Sequence, residues 1–152
     1  MKQNQEEEIQ KQIADYLSLQ YPNIPFHSDV GSGIRLPMGL AIRQKRLNDG
    51  RRGWPDLFIA AGRSCESCGV DVGEFGLFLE LKKDGETLYP GPRAKRRFKS
   101  IDGKEYKTEH LMEQADVLFS LRKAGYVAKF AIGFKEATRI IDEYLGDKEC
   151  SS

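Results

Sequence analysis

No stretch of the chain comes near the roughly 18 consecutive apolar residues that a membrane-spanning helix requires, so an integral membrane protein is not expected. Cysteine is scarce. Three residues cannot form a disulfide framework, and the thiols of Cys65-Glu66-Ser67-Cys68 have only Cys150, His27 and His110 as further soft ligands. None of those falls at a spacing that would complete a four-ligand zinc site, so the pair reads as two loop thiols. The stretch from Met1 to Glu8 is polar and acidic rather than a signal peptide, which leaves a cytoplasmic location as the expectation. Internal repeats and low-complexity tracts are absent as well. What remains is the composition of an ordinary globular protein, 39% hydrophobic and 31% charged, and 152 residues is a length that suits one domain, read here as 1–152.

The net charge of +1 conceals a strong pattern. Arg43, Lys45, Arg46, Arg51 and Arg52 form one basic cluster, and Arg93, Lys95, Arg96, Arg97 and Lys99 form a second. Acids gather at Glu6 to Glu8 and again at Asp142, Glu143, Asp147 and Glu149. Basic clusters of this kind neutralise phosphates and release counterions, so nucleic acid is the expected partner. A soluble, solvated surface is the plain alternative for either cluster taken alone.

Between the two clusters lie two short strings. Gly53-Trp54-Pro55-Asp56 runs into Leu57-Phe58-Ile59-Ala60, and Leu77-Phe78-Leu79 runs into Glu80-Leu81-Lys82. Both apolar runs have strand character. Side chains alternate faces along a strand, so Glu80 and Lys82 share one side while Leu77, Leu79 and Leu81 share the other. Pro55 cannot donate a ladder hydrogen bond and suits the start of a strand, with Asp56 opening the run. If the two strands pair, Asp56 and Glu80 converge. Two carboxylates in apolar surroundings are costly unless they bind something. Mg²⁺ suits them, since it takes one or two carboxylates plus waters and substrate oxygens. Such an ion activates water and offsets phosphate charge, with Lys82 holding the water or the reacting phosphorus. Phosphodiester hydrolysis is the chemistry these residues fit; a small-molecule substrate is not expected.

Helical spacing of Ile9, Ile13, Tyr16 and Leu17 predicts a helix over 6–20, with Glu6 on the buried-facing stripe and Glu7 solvated. A loop over 23–37 holds a candidate strand at 26–30, and a short basic helix covers 40–47. After the strands at 56–60 and 77–82, the segment 84–107 reads as long, polar and irregular. Thr108 caps a helix over 109–123, ended by Gly125; a strand over 126–132 and a helix over 135–145 complete the chain. The order is α-β-β(-β)-α-β-α, a mixed α/β domain. Gln114 falls on the apolar face of its helix, either as a satisfied core amide or as a group orienting a carboxylate or water.

Taken in order, Glu6-x-x-Ile9-Gln10, Gly53-x-Pro55-Asp56-Leu57, Gly76-Leu77-Phe78-Leu79-Glu80-Leu81-Lys82, and Gln114 followed by Leu118, Leu121 and Gly125-Tyr126 resemble the stand-alone VRR-NUC nucleases of phages and bacteria. The resemblance runs from Glu6 to about Leu145. It implies the PD-(D/E)XK superfamily, a restriction-endonuclease-like mixed sheet flanked by helices, and Mg²⁺- or Mn²⁺-dependent cleavage of DNA, often branched DNA such as Holliday junctions. It implies a protein working in a bacterial host cell, whether encoded by the host or by a phage. Carried over, Asp56 and Glu80 are metal ligands with the Leu81 carbonyl, Lys82 is the catalytic lysine, Glu6 (or Glu7, one register on) is the first-helix glutamate, and Gln114 is the helix glutamine. The long insertions at 61–75 and 84–107 depart from that pattern and bear on substrate preference. Paired cuts across a four-way junction need two sites, so a homodimer is expected, with the helix at 109–123 or the Cys65 loop as contact surface. A non-catalytic DNA- or junction-binding module on the same fold is the rival reading, as is a restriction endonuclease.

Overall fold

Hydrophobic residues three and four apart make the first helix. In the computed structural model, which describes residues 5–29, 36–64 and 71–146, α1 spans Gln5–Gln20 and buries Ile9, Ile13 and Leu17. The strand β1 (Phe26–Ser28) follows, then α2 (Met38–Leu47), β2 (Leu57–Ile59), a small antiparallel hairpin of β3 (Arg63–Ser64) and β4 (Asp71–Glu74), and β5 (Leu77–Lys82). A second hairpin of β6 (Phe98–Lys99) and β7 (Glu105–Tyr106) leads to α3 (Glu109–Lys123), β8 (Val127–Ile132) and α4 (Gly133–Leu145). Thr108 caps α3 as expected, its hydroxyl oxygen accepting from the Leu111 amide at 3.2 Å.

Four strands form the central sheet in the order β1-β2-β5-β8, antiparallel except for the parallel pair β5–β8. Strand alternation divides it into two faces. Leu57, Ile59, Leu77, Leu79, Leu81 and Ala131 pack with α1 and α4 in one core. On the other face Ala128, with Phe78 and Phe130 packed alongside, meets Val117, Leu118 and Leu121 of α3. The sheet is therefore a middle layer between α1/α4 and α3, the mixed α/β architecture read from the sequence.

Two corrections concern the insertions. The segment 84–107 is irregular over 84–97, as expected, but its second half carries a short hairpin. Asp102-Gly103 turns it back on itself, Gly103 taking a φ of 86°, and the hairpin β6–β7 forms on either side. Leu88 and Tyr106 are buried against Leu111 and Ala115 of α3. Asp116 of α3 accepts from the Ser100 hydroxyl at 2.6 Å and the Ile101 amide at 2.9 Å, fastening the hairpin to the helix. The 61–75 stretch likewise contains β3 and β4 rather than loop alone; Cys65 and Cys68 lie outside the described residues, as does Val30 of the expected first strand. Smaller shifts are at element ends: β2 begins at Leu57, leaving Asp56 in the bend before it, and α2 and α4 each start two residues early. No helix among the described residues is long and apolar enough to cross a membrane.

Candidate active site

The β2–β5 register sets the site. Leu57 lies opposite Leu79 and Phe58 opposite Phe78, so one step further on Asp56 faces Glu80. Phe58 and Phe78 stack with ring centroids 4.4 Å apart, pinning that register by about 0.5–1.5 kcal/mol beyond their burial. The alternation that sends Leu79 and Leu81 into the α1/α4 core sends Glu80 and Lys82 to the α3 face. There they are 3% and 7% exposed, and Gln114 of α3, which comes down on them, is 4% exposed.

One oxygen of each carboxylate is held by a fixed donor, and the two carboxyl groups also hydrogen-bond to each other when one carries a proton. The Leu81 amide donates to Asp56 Oδ2 at 2.9 Å. Glu80 Oε1 accepts from Lys82 Nζ at 2.9 Å and from Gln114 Nε2. Glu80 Oε2 is buried with no fixed donor, and so is Gln114 Oε1. Buried polar atoms are nearly always satisfied, so two buried acceptors with no fixed donor in one cluster leave room for a cation and its waters. Charge arithmetic agrees. With both acids ionised, Lys82 neutralises only one of them, and desolvating each ion costs several kcal/mol. Without a cation the cluster relieves this by holding protons: burial and the neighbouring Asp56 charge push Glu80 up to about 8 against the pull of Lys82. Burial raises Asp56 too; the Leu81 amide and Lys82 oppose this, while the nearby Glu6 charge adds to it. Glu6, in the first turn of α1, therefore lies within electrostatic reach of the pair, whereas Glu7 is exposed. No group of three or more His, Cys, Asp or Glu side chains among the described residues is arranged to hold a metal. The site is thus no all-protein cage; two carboxylates with open positions suit Mg²⁺, which keeps several waters.

Gly53 explains how α3 gets so close. Its φ is 81°, and a Cβ there would sit 2.9 Å from both the Cα and the backbone nitrogen of Gln114. Only glycine allows the loop before Asp56 to lie against the helix at the residue that holds Glu80.

A cleft of about 830 Å³ opens over Asp56, Glu80 and Gln114. Lys45, Arg51, Arg52 and Trp54 line it on the side of α2, and Glu109, His110 and Glu113 of α3 line it too. Of the sequence-expected phosphate contacts, Lys45, Arg51 and Arg52 reach this cleft. Arg43 and Arg46 sit on α2 without lining it. The second cluster, Arg93, Lys95, Arg96, Arg97 and Lys99, is exposed on the 84–107 segment and lines none of it; Arg97 is paired with Glu105 at 3.1 Å. Sequence reasoning does not single out Trp54 or His110. The signal for Trp54 is its place two residues before Asp56, and for His110 its place one helical turn before Gln114. The buried side of α3 packs on the core, while Met112 and Phe119 on the same helix remain partly exposed.

No family model matches the chain, and neither does any curated protein. Among solved structures the chain is similar to a VRR_NUC domain protein, with a TM-score of 0.59 and 22% sequence identity, the match covering 98% of this chain and 94% of that one. It has that protein's fold. The near-complete coverage of both chains means that the sheet, α1, α3 and α4 fall within a shared architecture, and that the roles of individual residues rest on the geometry above.

Proposed function

We propose that the protein is a metal-dependent endodeoxyribonuclease of the PD-(D/E)XK type, a VRR-NUC-like enzyme that hydrolyses phosphodiester bonds in DNA and prefers branched structures such as Holliday junctions. The observation that carries this reading is the pairing of half-buried Asp56 with buried Glu80, with Lys82 and Gln114 clamped to one oxygen of Glu80 and the other oxygen given no fixed donor. A module that only bound DNA would gain nothing from so costly a cluster beneath its cleft. Asp56, Glu80 and the Leu81 carbonyl would hold Mg²⁺ or Mn²⁺, which when bound supplies positive charge to the phosphate and makes hydroxide available near neutral pH.

The chain's own groups do the rest. The Leu81 amide fixes the rotation of Asp56, and Gln114 with Lys82 fixes that of Glu80. Lys82, anchored on Glu80, presents an ammonium in a dry setting, where it orients the attacking water or stabilises charge that builds on the phosphoryl oxygens. Glu6 adds a carboxylate at the edge of the pair. Lys45, Arg51 and Arg52 draw the DNA backbone into the cleft, and Arg43, Arg46 and the 93–99 cluster contact phosphates further out. A two-fold homodimer supplies the second cut that a four-way junction needs. The proposed setting is the cytoplasm of a bacterial host cell.

The test is a gel assay of purified protein with Mg²⁺, Mn²⁺ or Ca²⁺ on four-way, flap, single-stranded and linear duplex DNA, with light scattering for the oligomeric state. Cleavage with Mg²⁺ or Mn²⁺, lost with Ca²⁺ and with Glu80→Gln, is expected. Cleavage that survives EDTA, or full turnover by Glu80→Gln, would overturn the assignment.

A further inference from the structure

The helix α2 is unusual in burying nothing: none of its residues is buried, and Met38 and Ile42 are 80% and 62% exposed. Both line the cleft, together with Trp54, which is 36% exposed although its ring packs edge-on against Phe78 at 6.5 Å. The indole N–H of Trp54 donates to the Asn48 carbonyl at 2.9 Å, so the ring is fixed in place and ties the end of α2 to the loop before Asp56. Lys45 and Arg52 lie on the same side of the cleft and make no ion pair among the described residues, while Arg51 is paired with Asp49. Glu109 and Glu113 of α3 also line the cleft, which favours phosphates on the α2 side.

A cleft that combines cations with a fixed aromatic ring and two exposed aliphatic side chains matches one kind of nucleic-acid surface. A paired duplex offers phosphates and groove edges, but its base faces are hidden in the stack. An unpaired nucleotide offers a phosphate and a bare π-face together, which is how aromatic platforms in basic grooves take up single strands. Trp54 is two residues from Asp56, at most about 7 Å along the chain, on the scale of one nucleotide step. We propose that Trp54, backed by Met38 and Ile42, stacks an unpaired base next to the scissile phosphate, so that the substrate must offer unstacked nucleotides at the cut. The inference rests on the nuclease reading to put DNA in this cleft.

The experiment uses Trp54 as its own probe, since it is the chain's one tryptophan. Metal-free protein in EDTA is titrated with a short oligothymidylate and with a blunt duplex of equal length. Saturable quenching by the single strand, and little by the duplex, is expected. Trp54→Leu should bind the oligothymidylate roughly five- to a hundredfold more weakly, while Trp54→Phe, which keeps a π-face, stays close to the wild type. Thermal unfolding checks that Trp54→Leu folds; if it does not, the wild-type titration decides alone. Equal quenching by both DNAs, or none by either, overturns the inference. The two readings fail separately: quenching by oligothymidylate without cleavage of any DNA sinks the nuclease and leaves the stacking site, whereas cleavage without quenching does the reverse.

Discussion

Leu79 and Glu80, neighbours on β5, are both buried and chemically opposite. Leu79 is fully buried and Glu80 is 3% exposed, yet one side chain lies in a hydrocarbon core and the other in a cluster of ionisable groups with acceptors that lack a fixed donor. Burial stabilises the first by the hydrophobic effect. It destabilises the second, because a carboxylate out of water and short of partners costs several kcal/mol. One strand thus contributes stability through its odd residues and Phe78 and gives part of it back through Glu80 and Lys82, the arrangement that preorganised charge in a dry site requires.

Substitution on either face separates the two most visibly. Glu80→Gln and Lys82→Met are expected to lower cleavage by on the order of 10²–10³-fold or more, and Gln114→Ala by about 10–100-fold, as for groups that orient a ligand. Metal-free Glu80→Gln should be no less stable than the wild type, since it removes a buried ionisable group. Leu79→Ala should behave in the opposite way, losing about 2–5 kcal/mol in denaturant melts. Its turnover per folded molecule should change far less than that of Glu80→Gln. Equal stability losses for Leu79→Ala and Glu80→Gln would mean that the polar face is not strained.

Gly53→Ala joins the two properties. The left-handed φ costs a side chain about 1–2 kcal/mol, and the new Cβ must push Gln114 away from Glu80. Lower stability and lower activity are expected together, measured by melting and by single-turnover cleavage. A variant that melts early but cuts normally would show that the Gly53–Gln114 approach serves packing alone.

A subtler difference is in the pH dependence of metal-free protein. Glu80 is held up near 8 in the fold and sits at 4.5 as a free side chain. Between those values the folded state keeps a proton that the unfolded state has released, so stability falls as pH rises from about 4.5 to about 8. Asp56, also raised, acts in the same direction. Glu80→Gln should flatten most of that slope, by a few kcal/mol at most over the range. Melts of both proteins in EDTA across this window test it; parallel curves would reject the buried-proton account.

Much of this is legible in the residues, and for identifiable reasons. Period-two alternation places Glu80 and Lys82 together, and helical spacing puts Gln114 on the face that covers them. These are local rules, and the described core obeys them. The hairpin at 98–106 is also readable, since Asp102-Gly103 is a strong turn signal; its two-residue strands are simply too short to show a pattern. Other features depend on contacts far apart in sequence. Nothing in Gly53 itself says that a helix backbone some sixty positions on will lie against it. Nor does the basic character of α2 reveal that it buries nothing, or that the second basic cluster stands clear of the cleft.

The smallest expected effect belongs to those two basic clusters, which carry the contrast from the faces of β5 to the protein surface. The even face of β5 looks toward the cleft where Lys45 and Arg52 stand, while Arg96 and Lys99 are exposed elsewhere. On duplex DNA, each cation withdrawn from a phosphate reduces the slope of log K against log salt by about 0.9. Lys45→Gln with Arg52→Gln should therefore shrink the slope by about 2. Arg96→Gln with Lys99→Gln should shrink it less, because any phosphates they meet lie outside the cleft and depend on how far the DNA extends. Longer duplexes should widen the second effect and leave the first unchanged. Binding isotherms at several salt concentrations, with short and long DNA, make the measurement. If both pairs shift the slope equally on the shortest DNA, the backbone path crosses the 93–99 segment as closely as it crosses α2, and the cleft wall is not where the protein chiefly meets phosphate.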